Sequence, residues 1–178
     1  MHKTAKWITN TAIFMALLVG LQLLTAPIGS TLITGSIVNL LLILCTLSLG
    51  IKSGATLAVL SPVLAKFLGI GPLWELIPFV ILGNLAIVLV LHLIVRKKPD
   101  VIMVQAIGVL CGAGAKFLVL YFGIVQIAIP LLLQLPQPQA SVISAMFSIS
   151  QLFTALLGGA GAILLFQLLK KAGITPAK

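Results

Sequence analysis

Long apolar runs recur along the whole 178-residue chain, and short segments rich in glycine, proline and basic residues separate them. A run of about 20 apolar residues is the length that crosses the hydrocarbon core of a bilayer as an α-helix. Only 7% of the residues are charged and 61% are hydrophobic, which is too few charges to cover the surface of a soluble domain. The sequence therefore predicts an all-α integral membrane protein.

Six transmembrane helices are predicted from the breakers and charges that divide the apolar runs. The expected spans are Thr9–Thr25, Ser36–Leu49, Ala55–Leu68, Leu76–Val95, Val101–Ile129 and Val142–Leu169. The second and third are short enough to form a re-entrant pair instead, although six full spans are favoured. Little chain remains for anything else, so residues 1–178 are predicted to form a single transmembrane domain, a compact six-helix bundle.

The basic residues are distributed asymmetrically. All eleven lie on one side of the predicted membrane except Lys66 and Lys116, and that side carries Lys3, Lys6, Lys52, Arg96, Lys97, Lys98, Lys170, Lys171 and Lys178. The positive-inside rule therefore predicts that both termini are cytoplasmic. The net charge of +9 does not indicate nucleic-acid binding, because these residues sit at the ends of apolar runs rather than on one basic face.

The sequence has few residues that could catalyse a reaction or bind a metal ion. The only acidic residues are Glu75 and Asp100, and no phosphate-binding loop or hydrolase motif is present. Cys45 and Cys111 lie inside apolar runs without metal-ligand spacing, and His92 is isolated near a helix end. The sequence predicts no enzyme, no metal site and no cofactor. A small membrane chain that has no ATP-binding motif and too few acidic residues for ion-coupled transport is expected to be the substrate-binding subunit of a larger complex.

Polar residues within the spans are the candidate ligand contacts, since a polar group in lipid is costly unless it meets a partner. Lys116 lies about fifteen residues into the fifth span, where an internal partner or a ligand explains an ammonium better than snorkelling does. Asn39 and Asn84 could bond a ring-substituted ligand or a neighbouring helix. Both alternatives stay open at the level of sequence.

A second group of candidates surrounds the "GIGPLW" loop. Lys66 precedes this loop and Glu75 follows it, so the two could pair with each other or contact a substrate. Trp74 could stack on an aromatic ligand or anchor the chain at the membrane interface. In the stretch "TNTAIFMALL", Ala12 and Ala16 lie one helical turn apart, and such spacing lets another helix approach closely. That helix could belong to the same bundle or to a partner.

In these features the chain resembles the S-components of energy-coupling factor (ECF) vitamin transporters. The resemblance rests on about six spans in a chain of 178 residues, on the A-x-x-x-A of the first helix, and on the stretch "GSIVNLLLILCTLSLGIKSGATLAVLSPVLAKFLGIGPLWELIPFVILGN". It implies the substrate-binding membrane subunit of an importer in a bacterial cell membrane. Such a subunit binds a small vitamin from outside and docks on a transmembrane scaffold subunit that two ATPases drive.

The resemblance also assigns roles to particular residues. The first outer loop lines the pocket in this family, which adds Thr34 and Ser36 to the expected ligand contacts. The surface of Ala12 and Ala16 would be the docking site for the scaffold. The expected ligand is of the pyridoxine or hydroxymethylpyrimidine type, or next pantothenate. The alternatives from other classes are a ligand-free structural or assembly membrane protein and a small channel.

Overall fold

A computed structural model of the protein describes residues 2–173, without the side chains of residues 2 and 3. All the regular secondary structure of these residues is helical. The α-helices are α1 (His2–Thr25), α2 (Thr31–Leu49), α3 (Ile51–Phe67), α4 (Ile77–Val95), α5 (Ile102–Leu120), α6 (Gln137–Phe147) and α7 (Ile149–Lys171). The chain continues from α5 as a π-helix over Tyr121–Leu133, and 3₁₀ turns at Ala26–Ile28 and Trp74–Leu76 precede α2 and α4.

Five helical segments are long and apolar enough to cross a membrane. They are Thr4–Ile28, Thr31–Leu49, Trp74–Val95, Ile102–Leu133 and Gln137–Lys171. The sixth segment, α3, has only 17 residues and contains Pro62, and at 1.5 Å per residue it is about 25 Å long. The predicted all-α, multi-pass membrane class is confirmed. The number of crossings made by α2 and α3 stays a prediction.

The first three helices begin earlier than the sequence predicts. α1 starts at His2 rather than Thr9, and α3 starts at Ile51 rather than Ala55. α2 starts at Thr31 rather than Ser36, because Ser30 caps it: the Ser30 side chain accepts a hydrogen bond from the backbone N–H of Ile33 at 3.4 Å. The predicted boundaries place the polar residues of these first turns in loops, although such residues are common at helix N-termini.

The last two predicted spans also differ from the structure. Pro130 was expected to close the fifth span, since proline lacks the N–H that an α-helix needs. The chain instead continues past it in the wider π-helical geometry and ends only at Gln134, which has a left-handed conformation with φ 44°. The connection expected before Val142 is helical from Gln137 onwards, with Pro138 in its first turn, where proline is tolerated. Ser148 then separates α6 from α7.

Two polar contacts show which connections share an end of the bundle. Thr11 of α1 bonds Ser53 at the start of α3, with 2.8 Å between the two hydroxyl oxygens. Lys170 at the end of α7 pairs with Asp100 in the α4–α5 connection at 3.0 Å. This end carries the basic residues of the predicted cytoplasmic side and is called the basic end below. Its orientation in a membrane stays a prediction; Lys178 and the side chain of Lys3 lie outside the described residues.

Glycines let α7 pack directly against the backbone of α2. A methyl group at Gly158 would lie 2.4 Å from the carbonyl oxygen of Ser36 and 2.7 Å from the backbone nitrogen of Leu40. At the neighbouring position, a methyl group at Gly159 would meet Val109 of α5 at 2.2 Å. The absence of side chains therefore brings α7 close enough to α2 for their polar residues to bond across the interface.

Candidate functional site

A cavity of about 380 Å³ lies at the end of the bundle opposite the basic end. Three connections surround it: the turn around Gly29, the loop around Gly71, and the α6–α7 junction around Phe147. Its polar lining consists of Gln22, Ser30, Thr31, Thr34, Ser61, Asn84, Lys116 and Gln151. The rest of the lining is mostly apolar or glycine, as is usual for a small-molecule site, and the volume is at the small end of such sites.

Among the described residues, Lys116 is the one charged residue that lines this cavity, and it is only 3% exposed. Its ammonium donates hydrogen bonds to Asn39 Oδ1 at 2.7 Å and to Asn84 Oδ1 at 2.8 Å, which joins α5 to both α2 and α4. An ammonium has three N–H donors, and the described residues accept from two of them. The internal partners expected for this lysine are therefore present, and they are neutral amides rather than carboxylates.

Asn39 orients the lysine rather than lining the cavity. It is fully buried, and its Nδ2 donates to the backbone carbonyl of Gly35 at 2.9 Å and to Thr154 Oγ1 at 3.2 Å. Thr154 in turn donates to the backbone carbonyl of Gln151 at 3.0 Å. Both amide protons of Asn39 are thus used, and its carbonyl oxygen is fixed towards Lys116. Of the two roles open for Asn39, the structure shows interhelical bonding.

Asn84 differs from Asn39 because it lines the cavity itself. Its Oδ1 accepts from Lys116, while its Nδ2 donates to no residue in the described part of the chain. Asn84 is 1% exposed, so that amide group is close to the cavity and shielded from bulk solvent. The floor of the cavity therefore presents N–H groups of Lys116 and Asn84, both of them donors.

Gln22 of α1 is a cavity residue that the sequence reasoning missed. It is 8% exposed, and its Oε1 is buried without a hydrogen-bond partner among the described residues. A buried acceptor left without a partner is unfavourable by about 1–3 kcal/mol, so it is a mark of function or of a bound group. The available signal was a single glutamine inside the apolar run "LLVGLQLLT".

The two residues expected from the first outer loop have different positions. Thr34 lines the cavity and its hydroxyl donates to Thr25 Oγ1 at 3.2 Å. Ser36 does not line it: its Oγ is buried without a partner, and its backbone lies against Gly158 of α7. The two side chains stand two residues apart on α2, so they point to different sides of the helix.

Lys66, Trp74 and Glu75 do not line the cavity. The Lys66 ammonium lies 6.0 Å from the centre of the Trp74 ring, and Trp74 packs edge-to-face on Phe67 at 5.1 Å. The pairing of Lys66 with Glu75, one of the two alternatives that the sequence leaves open, does not form among the described residues: the 3₁₀ turn at Trp74–Leu76 leaves Glu75 exposed, and no ion pair joins the two. Trp74, 49% exposed, is placed as an interface anchor would be.

Ala12 and Ala16 are exposed on the outer surface of α1, and no helix of the described bundle covers them. Gly20 continues the row one turn further, with no atom within 4 Å of the methyl group it lacks. These three residues are called the α1 stripe below. Ile13 and Leu17, both about half exposed, form the neighbouring row along one side of the stripe. The alternative that the alanines pack inside this bundle does not agree with the structure.

Comparison of the chain with protein-family models, with curated proteins and with solved structures found no match. The fold and the cavity therefore define a class: an all-α, multi-pass membrane protein with a small, mostly apolar cavity at one end and a buried lysine in it. Within the described residues, no three His, Cys, Asp or Glu side chains come together as they would around a metal ion. Any more particular assignment is a proposal.

Proposed function

We propose that this chain is the substrate-binding subunit, or S-component, of an ECF-type importer in a bacterial cell membrane. It binds a small vitamin or vitamin precursor, of the pyridoxine or hydroxymethylpyrimidine type or next pantothenate. It then docks on a transmembrane scaffold subunit that two ATPases drive. The chain performs no chemistry of its own, and its specificity comes from the cavity.

The observation that carries this proposal is the buried lysine at the floor of the cavity. Lys116 is held by the amides of two other helices and directed towards a space of about 380 Å³. Burying an ammonium and a set of amides in a membrane bundle is costly, and such residues usually mark a substrate site. The Lys116 N–H that no described residue accepts is left over from this interhelical network and is available to a ligand.

The α1 stripe supports the docking step. Its small residues face away from the bundle, where a stripe of this kind lets a second membrane helix pack at close range. Close approach increases the dispersion contacts along the helix pair, which are the main source of helix association in lipid. Leucine at Ala12 and Ala16 would replace this small-residue surface by bulky side chains and hold a second helix away.

The test combines ligand retention and assembly. The purified protein is denatured, and small molecules released from it are identified by mass spectrometry; a vitamin-like molecule at near one per protein is expected. The double variant Ala12→Leu and Ala16→Leu should retain that molecule, because the stripe is outside the bundle. It should lose co-purification with co-expressed scaffold and ATPase subunits, and uptake with it. Ala160→Leu, an exposed alanine on α7, is the matched control.

Two results would contradict the proposal. If no small molecule is recovered from the wild-type protein and none of the candidate vitamins raises its melting temperature, a ligand-free structural role replaces it. If the double variant at the α1 stripe assembles with the scaffold and supports uptake as well as Ala160→Leu does, the docking surface is elsewhere.

A further inference from the structure

We infer that the ligand of this cavity is a small molecule with one anionic oxygen, and that it also carries a hydrogen-bond donor. Its anionic oxygen, from a carboxylate or a phenolate, contacts Lys116 and the amide nitrogen of Asn84. Its donor group, a hydroxyl or N–H, contacts Gln22 Oε1. This inference rests on the proposed function and specifies the chemistry of its substrate.

The charge balance of the chain favours an anionic ligand. The chain has two acidic side chains, and neither is near Lys116: Asp100 pairs with Lys170 at the basic end, and Glu75 is exposed. The amides of Asn39 and Asn84 solvate the Lys116 ammonium but do not neutralise it. A buried charge in a weakly polarisable surrounding is stabilised strongly by an opposite charge within a few ångströms. No carboxylate of the chain is bonded to Lys116, so an anionic ligand is the group that would stabilise its charge.

The uncommitted hydrogen-bonding groups at the floor of the cavity are donors. Lys116 has one N–H beyond the two that its amide partners accept, and Asn84 has an uncommitted Nδ2. Both groups donate, so the part of a ligand that reaches the floor has to accept. A carboxylate or phenolate oxygen accepts several hydrogen bonds, and bonds to a charged oxygen are about twice as strong as neutral ones. The floor thus selects an anionic acceptor on electrostatic and on geometric grounds.

Gln22, nearer the mouth, presents a hydrogen-bond acceptor and therefore requires a donor on the ligand. It is three residues from the end of α1, whereas Asn84 is seven residues below the start of α4. At 1.5 Å per residue these depths are about 4.5 Å and 10 Å along their own helices, so Gln22 is the shallower of the two. A ligand that contacts both therefore has its donor nearer the mouth than its anionic oxygen.

This chemistry narrows the ligands of the proposed function. Pantothenate has a carboxylate and hydroxyl groups, and pyridoxine has an ionisable phenol and hydroxymethyl groups. Hydroxymethylpyrimidine is neutral and has no group to balance Lys116, so it fits the cavity less well. The inference thus reorders the candidates obtained from the resemblance.

The experiment uses pairs of probes that differ only in the anionic group, with the full-length protein in detergent micelles or nanodiscs. Pantothenate is compared with its alcohol pantothenol, and pyridoxine with 3-deoxypyridoxine. Dissociation constants come from calorimetry or from the ligand dependence of the melting temperature. One anion should bind at least about tenfold more tightly than its neutral partner, as expected for a charge-assisted hydrogen bond. The pair that discriminates shows whether the oxygen belongs to a carboxylate or a phenolate.

Variants separate recognition from folding. Lys116→Met removes the charge and keeps most of the bulk; it should weaken the anionic probe roughly 10- to 150-fold and leave its neutral partner within about threefold. Lys66→Met, a lysine outside the cavity, should change neither affinity. Gln22→Leu should weaken both members of a pair equally, since both retain the donor, and Gln126→Leu, an exposed glutamine, is its control. If Lys116→Met does not fold, Asn84→Leu provides the same comparison through the second donor.

The outcomes distinguish this inference from the proposed function. Equal or tighter binding of the neutral partners, or an equal loss of both affinities in Lys116→Met, overturns the anion assignment while leaving the substrate-binding role intact. If no probe binds, the chemistry of any molecule that co-purifies with the protein decides the matter: a molecule with a carboxylate or phenolate oxygen supports the inference, and a molecule without one overturns it. If no probe binds and no molecule co-purifies, the inference and the proposed function both fail.

Discussion

Replacing Gly158 by alanine should disturb the cavity from a position that does not line it. The added methyl group would lie 2.4 Å from Ser36 O and 2.7 Å from the backbone nitrogen of Leu40. Because backbone atoms cannot rotate away, α7 has to retreat from α2 by about 1 Å to restore a normal contact of ~3.5 Å. Thr154 is one helical turn from Gly158, so its 3.2 Å bond to Asn39 should stretch beyond hydrogen-bonding distance.

The size of the effect follows from three contributions. Overpacking a helix interface costs about 1–3 kcal/mol, and loss of the bond between Thr154 and Asn39 adds about 1 kcal/mol. The better helix propensity of alanine offsets up to about 1 kcal/mol. The net loss of stability expected for Gly158→Ala is therefore about 1–4 kcal/mol, and ligand affinity should fall as well, because Asn39 no longer fixes Lys116.

Thermal unfolding in detergent and ligand titration provide the measurements, with two other glycines as controls. Gly114→Ala on α5 adds a methyl group with no atom within 4 Å, so stability should be unchanged or slightly raised. Gly161→Ala on α7 meets Leu40 Cδ1 at 3.0 Å, a flexible side chain that can move, so a small effect is expected. If Gly158→Ala melts and binds like Gly114→Ala, the close approach of α7 to α2 does not support the site.

Three further predictions concern topology and the basic end. In a cysteine-free background, Gln139→Cys should label from outside the cell and Lys97→Cys only after permeabilisation; labelling of both from one side would refute the predicted orientation. Asp100→Asn should lower stability by under about 1 kcal/mol, since its pair with Lys170 is exposed, and a larger fall in melting temperature would contradict this. Gln105→Leu should lower it by about 1–3 kcal/mol, because this buried amide bonds two elements; an unchanged melting temperature would show that those bonds contribute little.

Apolar run length predicted the class of the protein well, because crossing a bilayer imposes a length and a composition that few other folds require. The special position of Lys116 was also readable, since a lysine deep in an apolar run needs a partner. Its partners were readable only as candidates: Asn39 and Asn84 were named separately, and the packing of three helices decided that both accept from one ammonium.

The features that could not be predicted from the sequence depend on geometry across helices and turns. Lys66 and Glu75 are nine residues apart and of opposite charge, yet the turn between them directs Glu75 to solvent and Lys66 towards Trp74. Gln22 was passed over because a single glutamine near a helix end has many ordinary explanations. Only the cavity on one side of α1 gives it a distinct role. The π-helix beyond Tyr121 has no local signal in the sequence.

α1 carries both the stripe and the wall of the cavity: Gly20 belongs to the outward row, and Gln22, two residues on, lines the cavity. It is also the least enclosed of the five long segments, with 17% of its apolar window buried compared with 44% for α2. A partner that binds the stripe thus acts on the same rigid rod that forms part of the ligand site. If the proposed scaffold subunit prefers a shifted α1, docking changes the ligand dissociation constant by the same factor by which the ligand changes the affinity for the scaffold. Release of the proposed ligand would then be a consequence of docking energy rather than of a separate gate.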